Sequence, residues 1–139
     1  MPVKVADIIG ELKSKAEELG LPFGNRTRTY NSRLAQELGL WAEKQGRGDR
    51  FHQLAFRAYF AEGSNLARRQ VLLELARETG LPLSGAKEVL DRRLFSDAVD
   101  ADWRRSRDMG ITAVPTFAAN GRKVVGAQPY AVLEKLIIG

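Results

Sequence analysis

The 139-residue sequence contains no cysteine and a single histidine, His52. Without a thiol, the chain can form no disulfide, no cysteine nucleophile and no cysteine-ligated zinc or iron–sulfur site. With one imidazole, it also cannot form a multi-histidine metal site or a HExxH protease centre. A lone histidine with no nucleophile to activate is typical of a surface position. We therefore expect no metal site, no catalytic residue and no cofactor held by this chain.

Long apolar runs are also missing. No stretch of about 18 apolar residues occurs, so a transmembrane helix is not predicted. The N-terminal segment MPVKVADIIG has no apolar core and reaches Asp7 early, unlike a signal peptide. We expect a cytoplasmic chain with no membrane partner. The overall content, 44% hydrophobic and 28% charged, is typical of a globular protein rather than a disordered one.

The basic residues exceed the acidic ones by 22 to 17, a net charge of +5. Three pairs of adjacent arginines would be the natural footprint for a nucleic acid, but acidic residues lie close to each pair in sequence. Neighbouring residues on a helix also point about 100° apart, so a pair does not make a basic stripe. We expect no nucleic-acid partner. The pairs are Arg68–Arg69, Arg92–Arg93 and Arg104–Arg105.

Most of the sequence predicts amphipathic helices that end at a glycine, as a left-handed C-terminal cap requires. The first helix is predicted to start at the N-cap Asp7, and the second to start near Asn31. A sixth is predicted from Ser96 to Met109, with Val99, Trp103 and Met109 facing inward. The capping glycines are Gly20, Gly46, Gly63, Gly80 and Gly110.

After Gly110 the pattern changes from helix to strand. Two short β-prone runs flank Asn120-Gly121, a dipeptide that favours a two-residue hairpin because both turn residues accept positive φ. Residues 130–138 then predict a last amphipathic helix. The expected fold is α+β and mostly α: an N-terminal helix and loop (1–30), a helical domain (31–109), and a ββα part (110–139).

Four aromatic residues cluster in the third predicted helix: Phe51, Phe56, Tyr59 and Phe60. Such a set can line a substrate groove, but it more often belongs to a hydrophobic core. We expect most of these side chains to be buried in the core.

The C-terminal motifs carry the most specific information. Residues 110–117 read GITAVPTF, the Asn120-Gly121 turn follows, and residues 125–130 read VGAQPY. In this order and spacing they resemble the C-terminal half of DsbA-like thioredoxin-fold proteins, whose pattern is G-[IV]-x-[GS]-V-P-[TS]-F, a hairpin and G-A-Q-P. The FrnE-like branch, near the 2-hydroxychromene-2-carboxylate isomerases and kappa-class glutathione transferases, is the most similar. Residues 31–35 and 56–60 resemble the inserted helical domain of that branch.

This resemblance implies a substrate-docking loop at Thr112, Ala113, Val114 and Pro115, with a cis Val114–Pro115 bond. In the family, the backbone of this loop pairs with a thiol-bearing peptide or with glutathione. Ala113 stands where relatives often have glycine or serine. The family's fold begins with a β–α–β unit that holds a C-x-x-C motif or a serine, and no such pattern occurs here. Because thiol exchange needs a thiolate, we expect the C-terminal portion of a disulfide oxidoreductase, inactive by itself.

Two other interpretations stay open. The chain could be a piece of a glutathione-dependent isomerase or transferase, or a non-catalytic helical interaction module. A hairpin without neighbouring strands exposes unpaired backbone and apolar side chains, which favours pairing with another chain. The simplest such assembly is a two-fold symmetric homodimer.

Overall fold

The structure, a computed structural model, describes residues 4–139. In that part of the chain, the secondary structure consists of α-helices, one π-helical segment and one two-stranded sheet, which confirms a mostly helical α+β fold. The elements are α1 (Val5–Glu18), α2 (Arg33–Lys44), α3 (Gly48–Phe56), the π-helical segment (Arg57–Ala61), α4 (Arg69–Thr79), α5 (Leu83–Asp91), α6 (Ser96–Asp108), β1 (Thr116–Ala119), β2 (Arg122–Val125) and α7 (Tyr130–Ile138).

The helix ends confirm the predicted glycine caps, whereas the first helix starts earlier than predicted. All five capping glycines have φ between +68° and +84°. Asp7 is not the N-cap of α1: Lys4 occupies that position, and its carbonyl accepts hydrogen bonds from the backbone N–H groups of Asp7 and Ile8. Asp7 instead lies in the first turn, where a carboxylate stabilises the positive end of the helix dipole.

The second helix also starts slightly later than the predicted cap. Its N-cap is Ser32, while the side chain of Asn31 accepts a hydrogen bond from the backbone N–H of Arg33 at 2.9 Å. Asn31 therefore satisfies one of the unpaired donors at the start of α2 from one position further out.

The chain divides into two compact units, Met1–Val99 and Asp100–Gly139, called here the helical unit and the hairpin unit. The boundary falls inside α6. Val99 is buried, but Trp103 and Met109 are 42% and 45% exposed, so the prediction that they face inward was wrong. Residues 100–108 are dominated by charged side chains, and these keep that part of the helix in solvent.

The core of the helical unit forms among α2, α3, α4 and α5. Apolar residues spaced three or four apart put one face of each helix into this core. Leu38 of α2 and Leu72 of α4 are fully buried, and Phe51 of α3 is 1% exposed. Tight helix packing is possible because small residues such as Ala42 and Ala86 are also fully buried.

A buried carboxylate ties α2 to the chain after α5. Glu37 has no exposed surface, and its carboxylate accepts hydrogen bonds from Arg33 Nε at 3.2 Å and Arg93 Nε at 2.8 Å. Arg33 also donates to the backbone carbonyl of Ser96 at 2.8 Å. The hydrogen bonds from Arg93 hold the pKa of the Glu37 carboxyl below its ordinary value, so this residue stays ionised in the fold.

The hairpin unit contains the antiparallel pair β1–β2, with Thr116 opposite Val125 at one end of the ladder. The turn residues Asn120 and Gly121 have φ of +53° and +72°, which confirms the predicted hairpin. Helix α7 packs against both strands. The Asn120 side-chain amide donates to the carbonyl of Ile137 at 2.8 Å, which joins the turn to the end of α7.

Candidate functional site

The predicted docking loop, residues 112–115, lies between the end of α6 and the start of β1. All four of its residues are exposed. The Val114 side chain is 91% exposed, the highest value among the exposed large hydrophobic residues. The Val114–Pro115 peptide bond is cis. A large apolar side chain held in solvent at a loop tip gains nothing for folding, which makes this loop the candidate functional site.

Hydrogen bonds from the hairpin fix both sides of this loop. The Gly126 N–H donates to the Pro115 carbonyl at 2.8 Å, and the Thr116 hydroxyl donates to the Ala113 carbonyl at 2.6 Å. Upstream of the loop, the Met109 carbonyl accepts a hydrogen bond of 2.7 Å from Lys123 Nζ in β2. Thr116, Lys123 and Gly126 thus position the loop, a role that sequence analysis missed, although Thr116 and Gly126 belong to the two motifs quoted above.

The backbone of Val114 is available to a partner. Within residues 4–139, no backbone hydrogen bond engages its N–H or its carbonyl, and the residues on both sides are exposed. Exposed backbone donors and acceptors of this kind can pair with an extended peptide, as at the edge of a sheet. The side chains of the loop provide no activated nucleophile, because its one hydroxyl, that of Thr112, has no base beside it in sequence.

The single histidine lies in the helical unit, at the surface. The side chain of His52 is 43% exposed, and its Nε2 lies 3.1 Å from Glu43 Oε1. This position confirms the interpretation of His52 as a surface residue. In the described part of the chain, His, Asp and Glu side chains form no group of three or more that could hold a metal ion.

The aromatic residues of the third helix are not mostly core. Phe51 is buried, but Phe56 is 62% exposed and Phe60 is 36% exposed, so the expectation was wrong for these two. The reason is helical periodicity: Phe51, Ala55 and Ala58 recur every three or four residues and occupy the buried face. Phe56 follows Phe51 by five residues and therefore points well away from that face.

Several arginines of the predicted pairs form ion pairs. Arg69 binds the Asp91 carboxylate through two hydrogen bonds of 2.9 and 3.0 Å, and Arg92 binds Glu88 at 2.9 Å. The hydrogen bonds from Arg69 lower the pKa of Asp91 from its ordinary value. Pairing of this kind reduces the positive surface available to a polyanion. Among residues 4–139, the structure contains no helix with the combined length and hydropathy of a membrane span.

Comparisons with known proteins agree with the fold. The family model of the DSBA-like thioredoxin domain matches residues 1–137. The chain is 30% identical over 129 residues to the uncharacterized protein YwbO of Bacillus subtilis. This alignment covers 91% of this chain and 64% of YwbO. The chain is also 30% identical over 105 residues to the ClpXP adapter protein SpxH of Bacillus subtilis. That alignment covers 69% of this chain and 35% of SpxH. The chain thus spans less than two thirds of the length of these relatives.

Two solved structures of related proteins have the same fold as this chain. A probable DsbA oxidoreductase from Streptomyces coelicolor superposes with a TM-score of 0.81 at 28% identity, covering 92% of this chain and 57% of that protein. A candidate protein disulfide isomerase from Nitrosomonas europaea superposes with a TM-score of 0.76 at 21% identity, covering 98% of this chain and 72% of that protein. Because the Nitrosomonas europaea protein is only 21% identical, its similarity to this chain shows a shared fold and nothing more.

Proposed function

We propose that this chain, which belongs to the family of DSBA-like thioredoxin domains, supplies the substrate-docking loop and the helical part of a disulfide oxidoreductase. The observation that supports this most is the loop of residues 112–115, where Val114 is 91% exposed and its backbone N–H and carbonyl make no hydrogen bond within residues 4–139. The motifs at residues 31–35 and 56–60 favour the FrnE-like branch of the family.

The ligand of this loop is an extended peptide bearing a thiol, or glutathione. Both present backbone N–H and C=O groups that can pair with those of Val114 in the manner of an added strand. The bonds from Gly126 and Thr116 hold the loop in place, so little ordering is needed on binding. Glutathione as the preferred ligand would favour the relationship to the isomerases and transferases over that to the oxidoreductases.

Docking on this chain is not accompanied by thiol exchange. The attacking thiolate that exchange requires cannot come from a sequence without cysteine. We expect the purified chain to show no reduction of insulin and no oxidation of a dithiol peptide. Activity above that of a buffer blank, in protein free of contaminating oxidoreductases, would contradict this part of the proposal.

Amide NMR tests the docking step. Addition of glutathione, or of an S-methylated cysteine peptide, is expected to shift the amide signals of Thr112, Ala113 and Val114 in a saturable way. Val114→Pro removes the backbone donor and should abolish binding, whereas Val114→Ala keeps the backbone and should bind within about twofold of the parent. Shifts that survive Val114→Pro unchanged, or that never appear in the loop, would refute docking through this backbone.

A second candidate function is that of an interaction module that forms a homodimer. The hairpin unit leaves Val125, Ile137, Ile138 and Tyr130 between 55% and 78% exposed. The sheet within residues 4–139 has two strands, so each strand has an edge that can pair with another chain. One relative, SpxH, is by name an adapter protein.

Sedimentation equilibrium tests the dimer. At tens of micromolar, we expect twice the chain mass of 15.4 kDa. Ile137→Glu, which places a charge on the exposed face, should shift the equilibrium to the monomer. A single species near 15.4 kDa for the parent chain would reject the dimer.

A further inference from the structure

Three exposed arginines in the C-terminal half of α6, called here the arginine cluster, are Arg104, Arg105 and Arg107. Within residues 4–139, their guanidinium groups form no salt bridge and no hydrogen bond. Asp102 and Asp108 lie three or four residues from one of them, the spacing at which helix neighbours can pair. In the described chain, neither carboxylate binds an arginine of the cluster. The positive charge of the cluster is therefore not neutralised locally.

Comparable arginines of the helical unit do form ion pairs. Arg77 binds Glu74, which lies three residues away on α4. Arg92 binds Glu88, which lies four residues away, at 2.9 Å. The free guanidinium groups of the arginine cluster thus differ from those of other exposed arginines that have an acidic neighbour at helical spacing.

The end of α6 does not need the arginine cluster for capping, because other groups already bind its last carbonyls. The Ile111 N–H donates to the Ser106 carbonyl at 2.9 Å. Lys123 Nζ donates to the Met109 carbonyl and so places a cation at the negative end of the helix dipole. A helix end carries about half a negative charge, so three further positive charges exceed what it can offset.

The arginine cluster lies close in the chain to the loop of residues 112–115, and both belong to the hairpin unit. The hydrogen bond from Ile111 to Ser106 folds the chain back onto the last turns of α6 just before the loop begins. Consecutive Cα atoms are about 3.8 Å apart, so Val114 lies within about 12 Å of Ile111. An extended peptide advances about 3.3 Å per residue. A side chain two to four residues from the one that pairs with Val114 can therefore reach the arginine cluster.

We infer that the arginine cluster recognises acidic side chains of a peptide that docks at residues 112–115. Recognition of this kind rests on the docking proposed above, and it narrows the substrate class to thiol-bearing peptides with aspartate or glutamate near the cysteine. Guanidinium groups bind carboxylates through paired, charge-assisted hydrogen bonds. Because the arginines of the cluster are unpaired in the described chain, they give up no existing ion pair when a carboxylate binds.

Amide NMR titrations of the full chain with two matched peptides test this recognition. Each peptide has a central S-methylated cysteine, with either aspartate or asparagine at the positions two and three residues away on both sides. At low ionic strength, we expect the aspartate peptide to bind about three- to tenfold more tightly, as a few exposed ion pairs would give. At about 0.5 M salt, this advantage should fall below about twofold, because exposed charges are screened. Both peptides should shift the amide signals of residues 112–114.

Two triple variants with the same change in net charge separate local recognition from overall attraction. Replacing the arginine cluster by glutamine should make the two peptides bind equally, with the affinity for the asparagine peptide unchanged. Replacing the cluster by lysine keeps the charge and should keep most of the preference for aspartate. The control replaces by glutamine three exposed arginines of the helical unit whose side chains are also unpaired within residues 4–139, and it should keep the preference. These are Arg28, Arg50 and Arg68.

The outcomes distinguish failure of this recognition from failure of docking. Two peptides that shift the amides of residues 112–114 with equal affinity would overturn recognition by the arginine cluster and leave docking intact. An equal loss of preference in the cluster variant and in the control variant would also overturn it, because the effect would then come from net charge. If neither peptide shifts the amides of the loop, or if the aspartate peptide shifts only those of residues 104–107, both docking and recognition of a docked peptide are refuted.

Discussion

The helical unit and the hairpin unit differ in how much of their apolar surface they cover by themselves. In the helical unit, α2, α3, α4 and α5 enclose a core whose central side chains, Leu38 and Leu72, are fully buried. In the hairpin unit, Leu136 is the buried apolar side chain of α7, while Ile137 and Ile138 are 68% and 76% exposed. Two strands and one helix supply little area for burial.

This difference indicates which unit contributes most of the stability and which one opens more easily. A segment with few buried contacts opens locally at low cost, and sites that bind partners are commonly found in such segments. The exposed loop of residues 112–115, for which docking is proposed, lies in the hairpin unit. The helical unit, in contrast, is held together by one continuous hydrophobic core.

The largest expected effect comes from the buried carboxylate of the helical unit. Glu37→Ala removes the partner that Arg33 and Arg93 share, and should lower the free energy of unfolding by about 3–5 kcal/mol. Glu88→Ala breaks an exposed pair with Arg92 and should cost no more than about 1 kcal/mol. Urea denaturation followed by circular dichroism measures both. Equal losses would show that the Glu37 cluster is energetically an ordinary surface pair.

Matched leucine truncations compare the two cores directly. Leu38→Ala leaves a cavity in a fully enclosed site and should cost about 2–5 kcal/mol, whereas Leu136→Ala should cost less than about 2 kcal/mol because its surroundings can collapse. The same denaturation measurement applies. A larger loss for Leu136→Ala would mean that the hairpin unit, not the helical one, limits the stability of the chain.

Glycine substitutions test how the loop before α2 lies on the π-helical segment. A Cβ at Gly24 would lie 2.7 Å from the Ala61 carbonyl oxygen, so Gly24→Ala should destabilise the fold by about 1–3 kcal/mol. Gly10, inside α1, has nothing within 4 Å of its Cβ position, and Gly10→Ala should stabilise by about 0.5–1 kcal/mol. The change in melting temperature on thermal unfolding shows whether each variant is stabilised or destabilised. A stabilised Gly24→Ala variant would contradict the close approach of Gly24 to the Ala61 carbonyl.

The smallest effect is a pH dependence that arises in the helical unit. Because the pKa of Glu37 is lowered in the fold, its ionised form contributes stability above the ordinary value of 4.5, and that contribution is lost as the pH falls through the folded pKa. Glu37→Gln should therefore lose stability less steeply than the parent as the pH falls from 5 to 3. If the free energy of unfolding fell equally steeply with pH in the parent and in Glu37→Gln, the lowered pKa of the Glu37 carboxyl would be contradicted.

Much of the fold could be predicted because local rules determine it. Glycine caps, the Asn120-Gly121 turn and helical periodicity depend on neighbours in sequence, and the structure confirms them. The bounds of α1 and the exposure of Trp103 could not be predicted, because helix starts and the inward face of a charged helix depend on tertiary packing. The docking-loop residues followed from a family motif.

Other features of the candidate sites depend on contacts distant in sequence. Nothing local indicates that Glu37 is buried beside Arg93, 56 residues away. The loop before α2 approaches the π-helical segment closely at Gly24, whose N–H donates to the Phe60 carbonyl. Phe56 and Phe60 were visible in the sequence as aromatic residues, but their exposure was not.

Amide hydrogen exchange at low micromolar concentration tests the contrast between the two units most directly. We predict that the amides of α2, α3 and α4 exchange slowest, near the rate set by global unfolding, and that those of β1, β2 and α7 exchange much faster through local opening. Hairpin amides protected as strongly as those around Leu38 would contradict the account.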